Sequence, residues 1–265
     1  MTIKTIIFDL DGTLLSEEAA VQQAFDRTLA FLTVQQPQVN AAEVEQGVRR
    51  HAAALFTSYD FYDFAVQIGI SALEGLWGAF DDGSLRFPQM ASQIEAYRLN
   101  VWCAALEDVG LSDRRLAKIL SLMFIAHRLE AAVTYEDTYP VLERLVGHYQ
   151  LLLLTNGAPS LQRLKLKAAP ELLQYFEKIN ISGGFGKGKP APELFEHTLS
   201  LAQADPATTV MVGDQLFTDI LGGNTAGIRT IWLNRTAKQG HEEVVPTASV
   251  RSLTEVAQWI ENEEG

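Results

Sequence analysis

The chain has 265 residues, a length that typically corresponds to one or two domains. Hydrophobic residues make up 47% and charged residues 20%, which is the composition of a folded globular protein and not of a disordered or fibrous one. The formal net charge of −12 excludes the broad basic surface that non-specific binding to a nucleic acid polymer or an anionic membrane requires. We therefore expect neither as a partner.

The cysteine and histidine content limits the kinds of site. Cys103 is the single cysteine, which excludes an intramolecular disulfide and a multi-cysteine zinc site, and its apolar neighbours predict a small buried side chain. The five histidines are scattered without metal-ligand spacing. The N-terminal segment lacks the pattern of a signal peptide, and no run approaches the ~18 apolar residues of a membrane span. We expect a cytoplasmic protein.

Short apolar runs, each followed by polar or glycine residues, predict strands that are buried on both faces of a parallel sheet. These runs are 3–10, 151–154, 178–181, 209–212 and 228–233. Helical patterns separate the later runs, at 139–149, 159–168, 192–202, 217–226 and 253–261. From about residue 138 onward helix and strand alternate, which predicts the α/β class, right-handed crossovers and a doubly wound parallel sheet.

Residues 17–135 interrupt this alternation. Their helical periodicity predicts an all-helical domain inserted after the first strand, so that residues 1–16 and 136–265 together form the sheet domain. The insertion is rich in aromatic residues, which can form a small helical core or a surface that closes over a substrate. Under the second interpretation, we expect segments 59–64 and 75–77 to face that substrate.

Polar residues follow four of the predicted strands. They are Asp9 and Asp11, then Thr155 and Asn156, then Lys187 and Lys189, and finally Asp214 with Asp219. Ligands of an open parallel sheet bind beyond the carboxyl ends of its strands, so we expect these side chains at one edge. Carboxylates that lie close together repel unless a cation or a proton intervenes. Asp9, Asp11 and Asp214 form an all-oxygen set that favours Mg²⁺.

The lysines are assigned different environments. Lys189 is the predicted counter-ion, since a compact ammonium can neutralise both a phosphate oxygen and a carboxylate. Lys187 lies in a glycine-flanked loop and is interpreted as solvated. Lys165 and Lys167 are interpreted as part of a solvated helix face. Thr155 offers a hydroxyl to an anion, although a plain turn at the end of a strand is the alternative.

Four segments resemble, in order, the four motifs of haloacid dehalogenase superfamily phosphatases. They are DLDGT at 9–13, LLTNG at 153–157, GKGKPAPELF at 186–195 and VGDQLFTDILGGNTAGI at 212–228. The resemblance covers residues 1–15 and about 136–236, and the helical insertion resembles the cap domain of that superfamily. The motifs are most similar to those of cap-bearing small-molecule phosphatases, such as those acting on N-acylneuraminate 9-phosphate, phosphoserine or phosphoglycolate.

The resemblance implies a mechanism for hydrolysis of a small phosphorylated metabolite. Asp9 would attack phosphorus and form an aspartyl-phosphate, which divides one difficult displacement into two. Asp11 would protonate the leaving alkoxide and then deprotonate the water that hydrolyses the intermediate. Thr155, Asn156 and Lys189 would bind the phosphoryl oxygens.

The same resemblance implies a metal site and leaves the assembly open. Mg²⁺ would be held by Asp9, the backbone carbonyl of Asp11 and Asp214, with Asp219 acting through water or by orienting loops. The expected assembly is a monomer or a homodimer.

Three alternatives remain on the same fold. A 2-haloacid dehalogenase would use Asp9 to displace halide, but in the resemblance dehalogenases lack the aspartate found here as Asp11. A phosphomutase would isomerise its substrate. A non-catalytic binding or regulatory protein would be expected to lack Asp9, Asp11 or Asp214, all of which are present.

Overall fold

The computed structural model describes residues 2–263. Within them, six parallel strands form one sheet in the order β3-β2-β1-β4-β5-β6. The strands are β1 (Thr5–Phe8), β2 (Gln150–Thr155), β3 (Lys178–Ile181), β4 (Thr209–Gly213), β5 (Arg229–Leu233) and β6 (Ala248–Val250). The predicted α/β class and parallel sheet are confirmed. The sequence did not indicate β6, which has three residues and no apolar run.

The register of the central strands determines where the polar residues lie. All four residues of β1 are buried, as are five of the six residues of β2. Phe8 pairs with Leu153 on one side and with Val212 on the other. Because the three strands are parallel and in register, the residues that follow them meet at one edge of the sheet.

Helices make up most of the remaining chain. Within residues 2–263 they are α1 (Glu17–Gln35), α2 (Ala41–Phe56), α3 (Tyr62–Ile68), α4 (Ala72–Gly75), α5 (Phe87–Asp108), α6 (Arg114–Glu130), α7 (Thr138–Leu145), α8 (Pro159–Ala168), α9 (Ser182–Phe185), α10 (Pro192–Ala202), α11 (Leu221–Thr225) and α12 (Leu253–Asn262). None of these helices is long and apolar enough to cross a membrane.

Contacts between residues divide the chain into two compact units. The first contains residues 2–17, 133–157 and 169–263, and with them the whole sheet. An apolar cluster that includes Ile7, Leu154 and Phe195 packs α10 against the sheet. The second unit contains residues 18–132 and 158–168 and is helical.

Aromatic side chains form much of the core of the second unit. The rings of Phe25 and Phe124 lie 4.6 Å apart, and the ring of Phe56 lies 5.3 Å from Phe61 and 5.5 Å from Tyr97. The Phe25 and Phe124 rings are tilted relative to each other, and the two pairs of Phe56 are edge-to-face, an arrangement that is favourable beyond the apolar area that it buries. The helical-core interpretation of the aromatic residues is therefore confirmed for these side chains.

Helix α8 packs with the helical unit, whereas the sequence predicts that it belongs to the sheet domain. Leu161 is buried in the same apolar cluster as the aromatic core. The Ser160 hydroxyl donates to Asp82 at 2.6 Å, and the Lys165 ammonium donates to the Glu74 carboxylate at 2.9 Å.

The interpretation of Lys165 as solvated is wrong. Its side chain is 2% exposed and that of Glu74 is 8% exposed. The buried carboxylate explains this placement, since an ammonium can leave water when a close acceptor of opposite charge replaces it. Lys167, two residues later, is exposed as predicted.

Replacing Lys165 by methionine should reduce the free energy of unfolding by about 3–5 kcal/mol, because the Glu74 carboxylate would remain buried without its ammonium. The double variant Lys165→Met/Glu74→Gln should recover much of this loss, since the uncompensated charge is removed. Denaturant unfolding measures both effects. The exposed Lys167→Met variant is the control and should change stability by less than about 0.5 kcal/mol. A Lys165→Met variant as stable as this control would contradict the prediction.

Candidate active site

The ends of β1, β2 and β4 bring several predicted site residues together. Asp9 follows β1, Thr155 ends β2, and Asp214 follows β4. Carboxylate oxygens of Asp9, Asp214 and Asp219 lie within 4.8 Å of one another. Burial is nearly complete for Asp9 and Asp219, so these charges are largely removed from water.

Lys189 lies at the centre of this cluster. Its Nζ is 2.6 Å from Asp9 Oδ1 and 2.6 Å from Asp219 Oδ1, and it also donates to the carbonyl of Leu154 at 3.0 Å. Its side chain is 2% exposed. Two hydrogen bonds, to Asp9 and to the Leu154 carbonyl, and the ion pair with Asp219 replace the water that a buried ammonium loses. Lys187, by contrast, lies at the surface and pairs with Glu193.

Both oxygens of the Asp9 carboxylate are held by side chains. Lys189 donates to Oδ1, and the hydroxyl of the fully buried Thr13 donates to Oδ2 at 3.2 Å. These two hydrogen bonds restrict rotation of the carboxylate about its side-chain bond. Thr13 belongs to the DLDGT motif, but the motif does not indicate this role, because only the fold shows which oxygen the hydroxyl reaches.

Asp219 is positioned by an unusual turn. Residues Leu216–Ile220 form a π-helical turn where the sequence predicts the start of an α-helix. Asp219 Oδ2 accepts a hydrogen bond from the backbone N–H of Gln215 at 3.0 Å, which leaves Oδ1 directed at Lys189. Such turns occur mostly as local insertions at functional sites.

Asp214 has one satisfied and one unsatisfied carboxylate oxygen. Its Oδ2 accepts from the side chain of Gln215 at 2.5 Å, whereas the buried Oδ1 has no hydrogen-bond partner within residues 2–263. Gly12 lies beside this carboxylate with a φ of +86°, and a Cβ atom there would be 2.7 Å from Asp214 Oδ2. Only glycine allows this backbone conformation and this close approach together.

Burial and mutual repulsion alter the proton affinity of the carboxyl groups. Burial raises the pKa of Asp9 well above its usual range, against the opposing effect of the Lys189 ammonium. Burial, reinforced by the Asp219 carboxylate, raises the pKa of Asp214 to about 6. Burial alone would lower the pKa of Lys189, but Asp219 and Asp9 outweigh it and raise that pKa. The cluster therefore has excess negative charge and favours an added cation.

Asp11 is close in sequence but outside this carboxylate cluster. It is half-buried, and its backbone forms a bridge with Leu15, while the N–H of Gly12 donates to the Leu15 carbonyl at 2.7 Å. The chain thus turns sharply after Asp11. The sequence predicts Asp11 in one oxygen set with Asp9 and Asp214, but within the described residues its carboxylate is not part of the group that Asp9, Asp214 and Asp219 form. The metal contact of its backbone carbonyl and its acid–base role stay predictions.

The side chain of Asn156 contacts the backbone of Lys189. Its Oδ1 accepts from the Lys189 N–H at 2.8 Å, and its Nδ2 donates to the Lys189 carbonyl at 3.2 Å. The Gly157 N–H next to it donates to the buried Ser182 hydroxyl at 2.9 Å. These contacts join the turn after β2 to the loop that carries Lys189. The sequence predicts that Asn156 binds phosphate, but it does not indicate this contact or the one to Ser182.

The comparisons with known proteins agree on one family. The model of the haloacid dehalogenase-like hydrolases matches residues 3–227. The chain is 34% identical over 257 residues to the phosphoserine phosphatase of Thermus thermophilus, covering 96% of this chain and 98% of that protein. It is 35% identical over 155 residues to the mouse N-acylneuraminate-9-phosphatase, covering 57% and 62%.

A solved structure shares the fold. The crystal structure of YfnB from Bacillus subtilis bound to magnesium superposes with a TM-score of 0.69 at 22% sequence identity, covering 98% of this chain and 99% of that one. At this level of identity the likeness concerns the fold alone.

Replacing Asn156 by alanine should reduce the free energy of unfolding by about 1–3 kcal/mol, because it removes two hydrogen bonds to the backbone of Lys189. Chemical denaturation measures the change. Asn100→Ala serves as the control, since its hydrogen bond to Tyr59 is exposed and should contribute less than about 0.5 kcal/mol. Equal stability of the two variants would show that the contact with Lys189 does not hold the loop.

Proposed function

Because the chain belongs to the haloacid dehalogenase-like hydrolase family, we propose that it is a phosphatase that hydrolyses the phosphate monoester of a small metabolite with Asp9 as its nucleophile. The observation that carries the proposal is the Asp9 carboxylate, which is buried and held at both oxygens by Lys189 and Thr13. The names of its relatives support a phosphorylated small molecule as the substrate.

Asp9 attacks phosphorus in line with the leaving group. A new bond forms between an Asp9 oxygen and phosphorus, and the bond between phosphorus and the alkoxide oxygen breaks. Asp11 gives its proton to that alkoxide and then takes one from the water that hydrolyses the aspartyl-phosphate. Holding the carboxylate at both oxygens supports this role, since positioning dominates phosphoryl transfer.

Lys189 and Thr155 supply the remaining contacts to the phosphoryl group. Lys189 brings a positive charge that is already oriented by Asp219 and is adjacent to Asp9. Thr155 ends β2 and its side chain is buried at the same edge. Asn156 acts by holding the backbone of Lys189, which changes its predicted role from that of a phosphate ligand to that of a positioning residue.

The carboxylate cluster fits a divalent metal ion. The cluster has three carboxyl groups and one ammonium, and Asp214 Oδ1 is a buried acceptor without a hydrogen-bond partner in the described chain. Asp9, Asp214 and the backbone carbonyl of Asp11 would hold Mg²⁺, with Asp219 supporting the site from its contact with Lys189. When bound, Mg²⁺ supplies charge that offsets repulsion between the carboxylates and the phosphate.

Asp9→Asn should reduce phosphate release by at least ~10³-fold while the fold is retained, because an amide cannot act as the nucleophile. The assay uses a panel of phosphomonoesters with and without Mg²⁺, including phosphoserine, N-acylneuraminate 9-phosphate and nucleoside monophosphates. Asp26→Asn, which removes one exposed charge in α1, should keep full activity. Circular dichroism checks the fold of both variants.

The same assay distinguishes a phosphatase from the alternative enzymes on this fold. Undiminished phosphate release by the Asp9→Asn variant would contradict the proposal. Release of chloride from a 2-chloro acid would indicate a dehalogenase, and conversion of the substrate to an isomer would indicate a phosphomutase.

Mg²⁺ should raise the melting temperature more above pH ~7 than below pH ~5, because protons and the metal compete for the same carboxylates. The pKa of Asp214 is about 6 in the folded chain and 3.8 ordinarily. Between these values the folded state binds more protons than the unfolded state, so without metal the contribution of this group to stability falls as the pH rises.

Thermal unfolding in EDTA and in saturating Mg²⁺ at both pH values measures this difference. Asp214→Asn should lose most of the stabilisation by Mg²⁺, whereas Asp26→Asn should keep it. An equal rise in melting temperature at the two pH values would rule out a metal bound by these carboxylates.

A further inference from the structure

Arg235 makes several contacts within the first compact unit. It lies two residues after the end of β5. Its guanidinium forms a two-point ion pair with Asp137, with distances of 2.9 Å and 3.2 Å, and its Cζ lies 3.8 Å from the centre of the Tyr135 ring. The side chains of Arg235 and Asp137 are 18% and 17% exposed. Paired and stacked contacts of this kind are specific to arginine.

One further hydrogen bond connects Arg235 to the nucleophile loop, which we define as residues 10–16. Its Nη2 donates to the backbone carbonyl of Thr13 at 3.3 Å. The hydroxyl of the same Thr13 donates to Asp9 Oδ2. Arg235 is therefore separated from the proposed nucleophile by a single residue, on the side of the carboxylate opposite Lys189.

Asp137 extends this connection to other segments of the first unit. Its Oδ2 also accepts from the N–H of Leu253, the first residue of α12, at 2.7 Å. The next residue, Thr138, donates through its hydroxyl to the carbonyl of Leu14 at 2.9 Å. The nucleophile loop is thus held by residues more than a hundred positions away in the sequence.

The segments of the first unit that adjoin the first two of the chain's four passages between the units are paired with each other. The N–H of Ser16 donates to the Val133 carbonyl at 2.7 Å, and Leu15 forms an antiparallel bridge with Thr134. The N–H of Tyr135 donates to the Leu14 carbonyl at 3.3 Å. Tyr135, on which Arg235 stacks, therefore belongs to the segment that pairs with the nucleophile loop.

We infer that Arg235, together with Asp137, is a positioning residue that holds the nucleophile loop so that Thr13 orients the Asp9 carboxylate. This inference rests on the proposed function of Asp9. Arg235 does not contact Asp9 directly, so it acts on the alignment of the carboxylate and not on its charge. Misplacement of a reacting group by ~1 Å can cost ~10²-fold in rate.

Arg235→Met keeps the aliphatic stem and removes the guanidinium. It should lower kcat by about tenfold or more and change KM by less than about threefold, because alignment of the nucleophile affects the chemical step more than substrate binding. The measurement is phosphate release by the full chain in saturating Mg²⁺. Arg235→Lys keeps the positive charge but cannot form the two-point ion pair. Its kcat should lie between that of the wild type and that of Arg235→Met.

Arg229, at the beginning of β5, provides a matched control. It pairs with Glu263 at 3.1 Å and lies 6.0 Å from the ring of Trp259. Arg229→Met also removes a paired and stacked guanidinium, and it should leave kcat unchanged. An equal loss of kcat in the Arg229 and Arg235 variants, or full kcat in Arg235→Met, would overturn the inference.

A second readout does not depend on turnover. In hydrogen–deuterium exchange, Arg235→Met should speed exchange in a peptide covering residues 10–16, and Arg229→Met should not. Arg235→Lys replaces Arg235→Met if the latter does not fold. Inactivity of the wild type on every phosphomonoester would refute the proposed function alone, and unchanged exchange in the nucleophile loop of the Arg235 variants would refute the positioning role.

Discussion

The buried ammonium of Lys189 is the interaction on which the rest of the site depends. An ammonium is stable away from water only when close acceptors replace the solvent, and here Asp9, Asp219 and the carbonyl of Leu154 do so. These acceptors belong to separate segments of the sequence. The parallel register, the π-helical turn that holds Asp219 and the contact from Asn156 to the Lys189 backbone must therefore all be in place together.

The cluster around Lys189 also contains more carboxyl groups than ammonium groups. This imbalance is what a bound cation would compensate. The buried pair of Lys165 and Glu74 in the helical unit matches one charge with another. Around Lys189, three carboxylates face one ammonium, and the pKa of Asp214 rises to about 6. The net charge of −12 gives the chain no overall excess of cations, and a fraction of that negative charge lies where a divalent cation would offset it.

The sequence predicts the strands and the polar residues after them because each polar residue follows a short apolar run. Other features depend on partners that are distant in sequence. Periodicity places Lys165 on a polar face, but its environment is set by Glu74, 91 residues away. The contact of Asn156 with the Lys189 backbone depends on the path of a loop, and that of Arg235 with Thr13 depends on a turn 222 residues earlier. No local sequence pattern indicates contacts between residues so far apart in the sequence.

The most direct test is to find where the phosphoryl group goes during turnover. A reaction with a phosphomonoester that the protein hydrolyses is quenched in acid, and the peptide that contains Asp9 is analysed by mass spectrometry. We predict phosphate on Asp9, and slower loss of that phosphate, once it has formed, in an Asp11→Asn variant, because activation of the hydrolytic water is impaired. Phosphate on another residue, or full turnover while the Asp9 peptide stays unmodified, would contradict this prediction.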